Sequence, residues 1–119
     1  MPTINDELIE LRTEGSVVVA EFVKGSFKDE KQILSSLEKL GSVIDARQNV
    51  QMVVDMSKID YLSSAGLGRM VSLLKKAMSG GGCLHLASLN EPILELFEVM
   101  RLTQIFKIFP SIDDAVAGF

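Results

Sequence analysis

Short apolar runs alternate along this chain with longer segments in which apolar residues recur every three or four positions. Residues 8–12 and 17–22 are two such runs, and the turn-forming residues between them predict an antiparallel hairpin. Residues 50–55 and 83–87 are almost continuously apolar, which is typical of strands covered on both faces. The chain is therefore expected to begin with a hairpin and to continue with strands that lie inside a sheet.

The longer segments have the spacing of amphipathic helices, and about four helices are predicted. They cover residues 27–40 with Gly41 as the expected stop, 67–78 followed by the glycines at 80–82, 92–100 opened by Asn90 and Pro92, and 112–117 between Ser111 and Gly118. A last short strand is predicted at residues 105–109. Residues 56–64 are expected to form a polar connection in which Met56 is exposed.

Strands that alternate with helices of this length indicate an α/β fold. We predict a single domain over residues 1–119, with a mixed, mostly parallel sheet of about five strands, an N-terminal hairpin and about four helices. In such sheets, binding sites gather where strands end and helices begin. The segment most relevant to function is therefore residues 55–68, between the most apolar strand and the second helix.

The charge balance narrows the range of partners. Lysine and arginine number 12 against 16 aspartates and glutamates, which gives a formal net charge of −4. A chain without a broad cationic surface is a poor candidate for binding nucleic acid or an anionic membrane. No stretch approaches the roughly 18 apolar residues of a membrane-spanning helix, and the first residues are unlike a signal peptide. The single Cys83 cannot form an internal disulfide, so we expect a cytoplasmic protein.

Two serines, Ser63 and Ser64, stand where the second helix is expected to begin. A serine hydroxyl at that place can cap the free backbone N–H groups of the first turn. The same N–H groups, together with the positive end of the helix dipole, would also favour a phosphate on a serine oxygen. Gly66 and Gly68 either let another protein approach the backbone closely or satisfy local turn geometry alone. The local pattern leaves these roles open.

Other kinds of site fit the sequence less well. A hydrolytic triad of Ser64, His85 and Asp55 lacks the Gly-x-Ser-x-Gly elbow, and His85 falls inside an apolar strand. A receiver domain would need an acidic pair for Mg²⁺ after its first strand, where residues 12–13 are arginine and threonine. No Cys and His cluster has zinc spacing, and the glycines at 80–82 lack the lysine of a phosphate-binding loop. We predict no metal, no cofactor and no catalytic residue.

The connection and the helix after it resemble the signature of the STAS-domain anti-sigma factor antagonists. The residues that carry this resemblance are Asp55, Ser57, Ser64, Ala65, Gly66, Leu67 and Gly68. The likeness extends to the glycines at 80–82, the apolar strand at 83–87 and residues 92–106. It covers residues 8–117 and is strongest from residue 52 onward.

The resemblance implies a function for this segment. In that family a partner serine kinase, which is also the anti-sigma factor, phosphorylates the serine that here is Ser64. The unphosphorylated antagonist binds the kinase and releases the sigma factor, and a serine phosphatase resets it. The resemblance therefore implies a phosphorylation-regulated switch rather than an enzyme. It also implies a partner-binding surface formed by Asp55, Met56, Ser57, Leu62, Ser63, Gly66 and Gly68.

Two positions depart from the family pattern. Ser63 stands where members often carry aspartate, which leaves the site less acidic and makes Ser63 a rival acceptor. Lys28 replaces the aspartate that many members have after the second strand. These departures keep an alternative open, namely a constitutive STAS adaptor subunit of a transporter or another signalling assembly, in which Ser64 contacts a partner without being phosphorylated.

Overall fold

The computed structural model describes residues 9–22 and 30–119. Its strands and helices follow the predicted order, with one 3₁₀ helix in addition. The strands are β1 Ile9–Glu14, β2 Val17–Phe22, β3 Gln51–Asp55, β4 Cys83–Ala87 and β5 Lys107–Phe109. The helices are α1 Glu30–Asp45, α2 Ser64–Ser79, α3 Glu91–Val99 and α4 Ile112–Ala117, and the 3₁₀ helix is η1 Leu102–Gln104.

The five strands form one sheet whose order in space is their order in sequence, β1-β2-β3-β4-β5. β1 and β2 are antiparallel, and the pairs from β2 to β5 are parallel. The predicted α/β fold, with its mostly parallel sheet and its N-terminal hairpin, is confirmed. At the carboxyl end of β3, Asp55 is paired with Glu21 on one side and Ala87 on the other. The residues that follow Asp55 therefore leave the sheet at its centre.

Helices cover both faces of the sheet, which explains the continuous apolar runs in its central strands. α1, α2 and α3 pack on one face in the main core, to which they contribute residues such as Leu40, Met70 and Phe97. On the other face, α4 places Ala115 in a smaller cluster with Val53 and other strand residues. Because β3 has buried side chains on both faces, its position in the sheet is strongly specified.

Several predicted boundaries differ from the structure; β1, for example, ends at Glu14 and not at residue 12. α1 does not stop at Gly41 but continues to Asp45, because Gly41 lies against α2, where an added Cβ would be 3.4 Å from Leu73 Cδ2. This glycine serves helix packing rather than termination. The last strand does not begin at Ile105, since this residue follows η1 and only Lys107–Phe109 joins the sheet. The predicted starts at residues 8 and 27, and the position of Lys28, lie outside the described residues.

His85 lies on β4 beneath α4. Its Nδ1 is 2.9 Å from the carbonyl oxygen of Ala115, and its ring stacks on Phe119 with centroids 3.6 Å apart. The side chain is buried, so a charged ring would lose its hydration. Burial therefore lowers the pKa of His85 below its ordinary value of 6.5, and Lys107 acts in the same direction, while the bond to Ala115 opposes the shift.

The lowered pKa of His85 predicts a loss of stability in mild acid. The unfolded chain protonates this histidine near pH 6.5 and the folded chain only at lower pH, so the stability due to the neutral ring is present above about pH 6.5 and is lost as the pH falls toward the folded pKa. We expect urea unfolding to show the advantage of wild type over His85→Gln shrinking between about pH 7.5 and pH 5. The chain has one histidine, so an unchanged difference across that range would contradict this account.

Candidate functional site

Residues 56–63 connect the carboxyl end of β3 to α2 and are held by apolar anchors. The side chains of Met56, Ile59 and Leu62 are buried in the main core. The N–H of Met56 donates to the Ala87 carbonyl at 2.8 Å, and the N–H of Ile59 donates to the Met56 carbonyl at 3.0 Å. The predicted exposure of Met56 is therefore wrong, because this side chain anchors the beginning of a connection that is apolar on its inner side.

Ser63 and Ser64 have different environments. Ser63 is the N-cap residue of α2, and its Oγ accepts a hydrogen bond from the backbone N–H of Gly66 at 3.0 Å. Ser64 is the first residue of the helix, and it is exposed. Within the ranges that the structure describes, its hydroxyl has no hydrogen-bond partner. Ser63 therefore performs the capping, and the hydroxyl of Ser64 faces solvent beside the positive end of the α2 dipole.

The acidic side chains of this segment differ in their access to solvent. Asp55 is buried, and its Oδ2 accepts a hydrogen bond from Ser57 Oγ at 2.7 Å. Ser57 and Asp60 are both exposed. Of these two carboxylates, only that of Asp60 is therefore accessible to a partner protein, whereas the carboxylate of Asp55 orients the Ser57 hydroxyl from within the protein.

Gly66 and Gly68 occupy the first turns of α2 for different reasons. An added Cβ at Gly66 would lie 2.7 Å from Leu62 Cδ1, so the missing side chain lets Leu62 pack against the helix. An added Cβ at Gly68 would meet no atom within 4 Å, and the backbone there does not have positive φ. Alanine in a helix interior is favoured over glycine by about 1 kcal/mol. Within the described residues, nothing explains a glycine at position 68, which lies on the same helix face as Ser64.

The structure adds two residues to this site that the sequence patterns missed. Tyr61 is 56% exposed, although Leu62 beside it is 5% exposed. Asn90, the N-cap residue of α3, directs its side-chain amide to the carbonyl oxygens of Ser57 and Ile59. An irregular connection has no period that would separate an outward from an inward side chain, and Asn90 has the sequence context of an ordinary cap.

The structure bears on the two other kinds of site that were considered, a hydrolytic triad and a metal centre. His85, the base of the triad weighed above, lies beneath α4 with its Nδ1 bonded to Ala115. Among the described residues, no three His, Cys, Asp or Glu side chains converge as metal ligands would. The site is thus a solvent-facing hydroxyl at the first turn of a helix, with Tyr61 and Gly68 exposed near it in the chain.

In the two ranges that the structure covers, no helix is both long and apolar enough to cross a membrane.

A family model matches most of this chain, and known sequences match about half of it. A sequence model of the STAS domain family matches residues 11–115. The anti-sigma-B factor antagonist of Bacillus subtilis is 32% identical over 63 residues, which cover 53% of this chain and 58% of that protein. In four curated relatives, this one included, the matching part spans between 54% and 60% of their own length.

Solved structures share the fold. An anti-sigma factor antagonist from Mycobacterium paratuberculosis has a TM-score of 0.77 and 20% identity, with 92% of this chain and 91% of that chain covered. The Bacillus cell fate determinant SpoIIAA in its phosphorylated form has a TM-score of 0.69 and 14% identity, with 92% of this chain and 96% of that chain covered. At these identities the likeness concerns the fold alone.

Proposed function

Because this chain belongs to the STAS domain family, we propose that it is an anti-sigma factor antagonist controlled by phosphorylation of Ser64. In its unphosphorylated form it binds an anti-sigma factor that is also a serine kinase, and the sigma factor is released. The kinase transfers phosphate from ATP to Ser64, and a serine phosphatase removes it. The name of the Bacillus subtilis relative supports the antagonist role.

The observation that carries this proposal is the division of roles between the two serines. Ser63 supplies the cap of α2, while the hydroxyl of Ser64 is exposed. Transfer of a phosphoryl group to Ser64 would therefore break no hydrogen bond of the described residues. The added charge of about −1.5 to −2 would lie at a helix start, where the dipole stabilises an anion by about 0.3 to 1 kcal/mol. The scaffold can thus accept the modification while its surface charge changes.

The partner surface that we propose surrounds Ser64. Ser57, Ser63 and Gly68 reach the surface there, and the exposed ring of Tyr61 joins them. Gly68 allows a partner to approach the backbone of α2 closely, which accounts for a glycine that no internal contact requires. The remaining residues of the predicted surface are buried, and they support it by fixing the connection: Asp55, Met56, Leu62 and Gly66.

The acceptor is tested by phosphorylation of serine variants. Wild type, Ser63→Ala and Ser64→Ala are each incubated with ATP, Mg²⁺ and the anti-sigma serine kinases of the genome that carries this chain, and phosphate is mapped by mass spectrometry. We expect full modification of wild type on Ser64 and none of Ser64→Ala. Ser63→Ala is expected to lose about 1 kcal/mol of stability with its cap and still to be modified.

Two outcomes would contradict the proposal. Undiminished labelling of Ser64→Ala would move the acceptor elsewhere. Stable co-purification with an ATPase or permease subunit, without phosphate on Ser64 in cells, would favour the constitutive adaptor.

A further inference from the structure

Asn90 links the connection between β4 and α3 to the connection that leads to Ser64. Its Nδ2 lies 2.9 Å from the carbonyl oxygen of Ile59, 3.2 Å from that of Ser57 and 3.4 Å from Asp60 Oδ1. An amide nitrogen has two hydrogens, so it can satisfy the two shorter contacts, both to backbone carbonyls. One side chain thus holds residues 57–60 from a position about thirty residues later in the chain.

This role of Asn90 is separate from helix capping. An asparagine at an N-cap normally accepts a hydrogen bond from the first turn through its side chain, but the Asn90 side chain makes no such bond. The start of α3 has other support, since Pro92 lies in its first turn and Glu91 places a negative charge there. The bonds to residues 57–60 therefore account for the asparagine better than the helix does.

The carbonyl groups that Asn90 binds depend on it. Among the described residues, no other group donates to the carbonyl oxygen of Ser57 or of Ile59. Ile59 is buried, and its carbonyl would lose its protein partner if the amide were removed. A backbone with an unsatisfied carbonyl at a buried residue tends to adopt another path. The conformation of residues 57–60 thus depends on the side-chain amide of Asn90 at the start of α3.

We propose that Asn90 is a positioning residue that holds residues 57–60, and through them Ser64, in the conformation that the kinase accepts. This inference rests on the proposed function and deepens it. Asn90 acts on backbone carbonyls and not on the reacting hydroxyl. The signature segment therefore depends on a residue outside itself.

Asn90→Asp isolates this role. Aspartate has nearly the same size and is an equally good N-cap, so α3 is expected to form as before. Its carboxylate has no hydrogen to donate, and it would face two carbonyl oxygens and the carboxylate of Asp60. Asn90→Ser is a neutral second variant that keeps the capping preference and loses the amide. Gln104→Glu adds the same charge as Asn90→Asp at an exposed position of η1 and is the matched control.

Hydrogen exchange of backbone amides tests the clamp without any partner. We expect both Asn90 variants to increase exchange of the Ile59 N–H, which donates to the Met56 carbonyl, by about tenfold or more, while Glu91–Val99 and Cys83–Ala87 keep wild-type protection. In wild type, the side-chain amide of Asn90 is expected to exchange slowly. Gln104→Glu is expected to behave as wild type in every one of these measurements.

The kinase assay described above tests the consequence for Ser64. We expect kcat/KM for phosphorylation to fall about tenfold in Asn90→Asp and Asn90→Ser, mainly through KM, and to stay unchanged in Gln104→Glu. A wild-type rate in both Asn90 variants would overturn the inference and leave the proposed function intact.

The two proposals fail in distinguishable ways. If no kinase modifies wild type, the proposed function fails, and the exchange measurement alone decides whether Asn90 positions residues 57–64. Faster exchange confined to those residues would then support the clamp, and unchanged exchange would remove it.

Discussion

Phosphate on Ser64 is expected to weaken binding to the anti-sigma kinase by about a hundredfold or more, while the free energy of unfolding changes by less than about 1 kcal/mol. The chain already carries a net charge of −4, and Asp60 is exposed in the same segment. A dianion added to this surface and brought against an apolar or acidic partner costs several kcal/mol through desolvation or like-charge repulsion. Asp55 contributes less to this repulsion than its place in the sequence indicates, because it is buried.

Calorimetry measures the affinity of the kinase for two homogeneous forms of the chain, one unmodified and one fully phosphorylated on Ser64. Urea unfolding is measured on both forms. Ser72→Glu is a matched control, because it adds a negative charge to an exposed position farther along α2. It is expected to change affinity less than tenfold. If both forms bind equally, Ser64 is not the switch, whatever the kinase modifies.

The fold was predictable because a strand that is buried on both faces of a sheet is almost continuously apolar in sequence. β2 and β4 have the predicted bounds, since runs of that length in which all but one residue are apolar are typical of covered strands. α4 also matches, because Ser111 caps it by accepting a hydrogen bond from the N–H of Asp114. The prediction that α1 ends at Gly41 was wrong because glycine is common after a helix, whereas this glycine allows α1 to contact α2.

Only part of the site was predictable, because some of its features follow from the local sequence and others depend on contacts between segments that are far apart in the chain. Two serines at a helix start follow from sequence, and the structure then distinguishes them through the single bond from Gly66 to Ser63. The burial of Met56 depends on how an irregular connection lies over the core, which no period encodes. The contact of Asn90 with Ser57 depends on two connections that the parallel sheet brings to one edge. Such a contact becomes visible only when the register of β3 and β4 is known.

Truncations of the adjacent residues Tyr61 and Leu62 are expected to change different properties, namely partner affinity in the first case and stability in the second. Tyr61→Ala removes a side chain that is 56% exposed, so its unfolding free energy is expected to stay within about 0.5 kcal/mol of wild type. As an anchor of the proposed interface, the ring is expected to contribute about 2 kcal/mol to binding. Its loss is therefore expected to lower the affinity of the unphosphorylated chain for the kinase about thirtyfold or more. Leu62→Ala empties a core site against Gly66 and is expected to lower the unfolding free energy by about 2 to 4 kcal/mol.

The two variants control for each other because they remove neighbouring large side chains from the same connection, one exposed and one buried. Urea unfolding and calorimetry against the same kinase are performed on both, at a temperature where Leu62→Ala remains folded. Tyr61→Phe keeps the ring and separates its apolar surface from its hydroxyl, so wild-type affinity in that variant would assign the binding energy to the ring. Wild-type affinity in Tyr61→Ala would contradict this prediction and would exclude Tyr61 from the partner surface around Ser64.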